Sequence, residues 1–125
     1  MNNFPAPIYP GVEFQFHVRH ADDNEDLIDI TGWSATLVVS SSKCESDELF
    51  RYTELDTDVI EIGSFDVDGV ENNMRVTVSA DRTEELRSCD FSCVYVGLLA
   101  SSPDQSTVVY FIPCAKAVIA EVLPI

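Results

Sequence analysis

The stretch LIDITGWSATL, residues 27–37, decides how this chain is read. A polar loop runs into Asp29-Ile30-Thr31-Gly32-Trp33, and from Ser34 onward Ala35, Leu37 and Val39 alternate with other residues. Such period-two alternation marks a strand half-buried against a core. The block ahead of it has turn chemistry. Asp29 or Thr31 can hydrogen-bond the turn backbone, Gly32 permits a positive φ, and Trp33 is placed to plug one end of the core. Upstream, residues 12–19 alternate in the same way, with Phe14, Phe16 and Val18 on one face and Glu13, Gln15, His17 and Arg19 on the other. His17 therefore reads as a solvated histidine rather than a ligand or base.

Further along, residues 34–41, 49–54 and 59–62 read as strands, the last ended by Gly63. Asp66-Val67-Asp68-Gly69 followed by Glu71-Asn72-Asn73 reads as a turn-rich link. Met74, Val76 and Val78 alternate again. Residues 79–86 carry the one helical signal, with Asp81 as cap and Glu84 at the capping-box spacing. It is too short for more than about two turns. Residues 91–100 are almost continuously apolar, the signature of a strand buried on both faces. A hairpin loop over 101–105 leads to strands over 107–112 and 115–123, with Pro113 breaking or bulging the sheet between them. Seven or eight short strands with one helical turn predict an all-β, antiparallel sandwich of immunoglobulin-like or jelly-roll type. Residues 1–11 hold Pro5, Pro7 and Pro10 and read as an extended arm; residues 12–125 form the single domain. Phe4, Ile8 and Tyr9 make that arm apolar, fit either to fold back over an open sheet edge or to dock on a neighbouring subunit.

With 22 acidic and 7 basic residues the formal charge is −15, a surface that repels nucleic acid and anionic lipid. The 46% hydrophobic fraction argues against disorder. No run of about 18 apolar residues suggests a membrane span, and the N-terminus lacks the features of a secretory signal. Synthesis in a cytoplasm predicts reduced thiols for Cys44, Cys89, Cys93 and Cys114. Their spacing matches no zinc or redox motif, so small buried apolar thiols are expected.

Asp22, Asn24 and Asp26 have the first three spacings of a calcium loop. The template then fails, with Leu27 where glycine is needed and Trp33 where the bidentate glutamate should stand. No metal or cofactor is expected. Nucleophile–base pairing has only His17 and His20 to draw on, and no GxSxG, HExxH or phosphate loop occurs. The expectation is a protein that is not an enzyme.

The order of these elements resembles the baseplate-upper-protein N-terminal family of tailed phages. The likeness is carried by Gly11, Phe14, Phe16 and Val18; by Ile28-Asp29-Ile30-Thr31-Gly32-Trp33 with residues 35–37; and by residues 76–79, Thr83, Leu86 and Tyr95. The chain departs from the family where Val96 and Gly97 follow Tyr95 in place of an acidic residue, and where Cys114-Ala115 replaces a glycine. The resemblance implies a structural virion protein, made in the host bacterial cytoplasm, that joins tail, baseplate or fibre subunits through the Phe4–Ile8–Tyr9 arm and its sheet edges. It implies other virion proteins as partners, a homo-oligomer in the particle, and neither nucleic acid nor membrane. The alternatives are a capsid decoration protein of the same fold and a free acidic inhibitor that mimics DNA.

Overall fold

The structure is a computed structural model that describes residues 7–41, 48–88 and 93–119. Seven strands and one short helix are present among them: β1 (Phe14–Val18), β2 (Ser34–Ser40), β3 (Glu48–Thr53), β4 (Ile60–Val67), β5 (Val70–Val78), α1 (Ala80–Glu84), β6 (Cys93–Ser101) and β7 (Val108–Val118). All strand pairs are antiparallel and form two sheets, β1-β5-β4 and β3-β2-β6-β7. Read as strands B, C, C′, D, E, F and G, these orders are those of an immunoglobulin-type sandwich.

The alternation seen in the sequence builds the core. Leu37, Val94, Val96, Leu98 and Ala100 of the four-stranded sheet meet Ile60, Met74 and Val76 of the three-stranded one, and each is at most 2% exposed. Full burial of a side chain of this size stabilises by roughly 1.5–3 kcal/mol over leaving it in water. Ile8, Ile30, Leu86 and Ile119 complete the same cluster.

Several elements differ from the sequence reading. Gly63 does not end β4. The strand continues to Val67, and the register shift between Ile62 and Phe65 is a bulge that accommodates the glycine. Residues 71–73 are not a link but part of β5, because the turn is only two residues long: Asp68 and Gly69, both at positive φ, connect paired Val67 and Val70. The polar Asn72 and Asn73 are tolerated in the strand because their amides are used. Asn72 Nδ2 donates to the carbonyls of Phe65 and Val70, and Asn73 Nδ2 donates to that of Ile28. The helix cap is Ser79 rather than Asp81, since the Ser79 side chain accepts from the Arg82 N–H. β6 is buried on one face only; Val94, Val96, Leu98 and Ala100 are buried while Tyr95, Gly97 and Leu99 are half-exposed. The expected strands over 107–112 and 115–123 are one strand through Pro113, with register shifts opposite residues 96–99. Residues 120–123 lie outside the described residues.

The thiols differ as well. Cys93 is free and half-buried, whereas Cys114 is disulfide-bonded. An oxidised Cys114 contradicts the expectation of four reduced thiols, which rested on the compartment of synthesis and not on geometry. Cys44 and Cys89 lie outside the described residues.

Candidate functional site

The N-terminal arm is folded back on its own chain where it is described. Ile8 is 4% exposed, forms a parallel bridge with Ile119, and its N–H donates to the Val118 carbonyl at 2.8 Å. Tyr9 is half-buried, and its carbonyl accepts from the Val12 N–H across a turn with Pro10 and Gly11 at its centre, Gly11 at φ 84°. Proline then glycine is the sequence such a turn requires. A single buried hydroxyl ties it down. Thr83 Oγ1 accepts from the Gly11 N–H at 3.1 Å and lies 2.9 Å from the Val12 carbonyl and 3.0 Å from that of Ala80. Of the predicted docking residues, Ile8 is thus committed to the chain's own core, Tyr9 stays partly accessible, and Phe4 lies outside the described residues.

The block around Asp29 is a corner between the sheets. The Asp29 carboxylate accepts from the Thr31 N–H at 2.9 Å, and hydrogen bonding from the Thr31 side chain, then from its backbone, holds the Asp29 pKa below its ordinary value. Gly32 sits at φ 82° and the Trp33 N–H closes the turn onto Ile30. Trp33 packs against the core, half-buried, with the His20 ring edge-on to it and to Phe111, at centroid distances of 5.9 and 5.5 Å. These rings seal one end of the sandwich, and Asn73 pins the neighbouring loop by accepting from the His20 N–H.

The carboxylates of the 22–26 loop serve the backbone. Asp22 Oδ1 accepts from the N–H groups of Asn24 and Asp26 at 2.9 and 3.0 Å. At the β6–β7 turn, Asp104 Oδ1 accepts from the hydroxyls of Ser102 and Ser106, both at 2.7 Å, which with the Ser106 N–H pull its pKa down to about 2. On the three-stranded sheet, Arg75 forms a two-point ion pair with Glu61 and lies 4.6 Å above the Phe65 ring. Among the described residues, no three His, Cys, Asp or Glu side chains are grouped to hold a metal ion.

The surface that sequence reasoning missed is the outer face of the four-stranded sheet. β2, β6 and β7 contain no acidic residue, and β3 contains only Glu48, ion-paired with Arg51 at 2.7 Å. Lys116 adds a second, exposed cation. In a chain of charge −15 this face is nearly neutral and apolar. At its centre, Gly97 floors a hollow of about 360 Å³ walled by Thr36, Val38, Tyr95, Leu99 and Ile112. Tyr110 stands at the rim, 62% exposed. The acid-free runs were visible in the sequence; the hollow was not, because it depends on the register shift opposite Gly97.

No protein-family model matches the chain, and no curated protein matches it.

Proposed function

We propose that this chain is a non-enzymatic structural protein of a tailed bacteriophage particle, built into the tail, baseplate or fibre-attachment apparatus. The observation that carries the reading is the position of the segments that resemble the baseplate-upper-protein N-terminal family. Asp29-x-Thr31-Gly32-Trp33 forms the corner that joins the two sheets, Thr83 and Leu86 hold the corner between β5 and β6, and Tyr95 lies on the adjoining strand. These are fold-building positions, as expected of a scaffold part whose function is to present surfaces. The shared service of the carboxylates in turns, at Asp22, Asp29 and Asp104, also fits a solvated exterior better than the phosphate-like rows a DNA mimic would need. Ile8 is anchored in the sandwich, and in this reading the residues ahead of it in sequence and the sheet edges join the chain to neighbouring virion subunits.

Particles assembled with a chain lacking residues 2–7 test the docking role. This deletion keeps Ile8, so the thermal midpoint stays close to that of the full chain while incorporation into particles falls. Normal incorporation of the shortened chain would refute docking through the arm.

A further inference from the structure

We infer that the Asp68–Gly69 turn is a modification site, where Asp68 isomerises to isoaspartate at a rate held down by the carboxylate of Asp66. It is the one place in the sequence where aspartate or asparagine precedes glycine. Glycine has no side chain to shield its nitrogen from the neighbouring carboxyl carbon. Ring closure joins the Gly69 nitrogen to Asp68 Cγ and releases one carboxyl oxygen as water, together with the amide proton. Water then opens the succinimide at either carbonyl. One opening restores aspartate; the other leaves an extra methylene in the backbone.

Burial gives this dipeptide no protection. Asp68 and Gly69 are both exposed, and a Cβ built on Gly69 meets nothing within 4 Å. Two other features protect it. Asp68 and Gly69 lie at φ 53° and 84° between paired Val67 and Val70, the left-handed pair of a type I′ hairpin. Attack needs the Gly69 peptide turned over the Asp68 carboxyl, and the paired strands resist that rotation. The Gly69 N–H also donates to Asp66 Oδ1 at 2.9 Å. Hydrogen bonds to ionised acceptors are the strong ones. The nitrogen must break this bond and shed its proton to attack, and the nearby negative charge opposes that loss.

The product would not fit the turn. An isoaspartate lengthens a two-residue connection by one backbone carbon, so Val67 and Val70 would lose their register and the hairpin would open at its tip.

The test is ageing of the full chain at neutral pH, folded and in guanidinium chloride. Isoaspartate is measured by enzymatic methyl transfer from S-adenosylmethionine and located by fragmentation of the peptide that holds residue 68. The expected result is accumulation at Asp68 above every other aspartate, at least about tenfold slower in the folded chain than in the denatured one. Asp66→Ala should raise the folded rate several-fold while the Val67 and Val70 amides keep their exchange protection. Equal rates in the folded and denatured chain would overturn the inference. So would an Asp66→Ala rate that is unchanged, or one that rises only with loss of the Val67 and Val70 protection. The outcome is independent of whether the chain enters a virion.

Discussion

Replacing Thr83 by valine removes one oxygen and little else, which makes it a sharp test of how the N-terminal turn is held. Thr83 is 1% exposed, and its hydroxyl accepts from the Gly11 N–H and donates toward the Val12 or Ala80 carbonyl. Valine keeps the volume, so no cavity term enters. The loss is then two hydrogen bonds, each worth about 1 kcal/mol net, with water recovering part of the debt at exposed Gly11. The expected destabilisation is roughly 1–2 kcal/mol. For a chain of this length that is a fall of about 4 °C in thermal midpoint per kcal/mol. Urea unfolding gives the free energy, and amide hydrogen exchange gives the location: the Gly11 N–H should exchange faster in Thr83→Val while β6 amides keep their protection. Thr83→Ser, which restores the hydroxyl, should restore Gly11 protection. A Thr83→Val protein within ~0.3 kcal/mol of the parent, with Gly11 unaltered, would refute the tether.

Leu98→Ala removes a side chain that is 1% exposed at the centre of the sandwich and should cost about 2–5 kcal/mol in urea unfolding. Gly69→Ala forces an L side chain into φ 84° at the β4–β5 turn and should cost about 1 kcal/mol although space for the methyl is open. The Asp104 carboxyl is held below its ordinary 3.8, so its ionised form favours the folded state. Its contribution is complete above about pH 5 and is lost as the pH falls through 3.8 toward 2. The gap in thermal midpoint between the parent and Asp104→Ala should therefore be constant near neutrality and close in acid. A gap unchanged at low pH would show that the serine hydroxyls do not depend on the carboxylate.

Most of the sandwich was legible because one-sided burial writes itself into alternation, as at Ala35, Leu37 and Val39, and at Met74, Val76 and Val78. What was misread came from residues whose role depends on partners distant in sequence. Asn72 and Asn73 look like turn residues until the carbonyls of Phe65 and Ile28 are brought beside them. Gly63 looks like a strand end until the partner strand shows a bulge. The apolar run 93–100 suggested burial on both faces, and the structure leaves Tyr95 and Leu99 half-exposed on the outer face of the four-stranded sheet instead. Composition recorded the apolar surface there but not which side faces solvent. The disulfide at Cys114 had no signal in spacing. The Asp29–Trp33 corner was read in detail because Asp–x–Thr–Gly is local turn chemistry, complete within five residues.

The most direct measurement is quantitative mass spectrometry of gradient-purified particles from the phage or prophage that encodes this chain. A place in the tail apparatus predicts the chain in the particle at a low, symmetry-related copy number together with tail and baseplate proteins. A copy number near that of the major capsid protein would move it to the head as a decoration protein. Absence from particles, with abundant chain in the infected cell, would contradict the structural role outright.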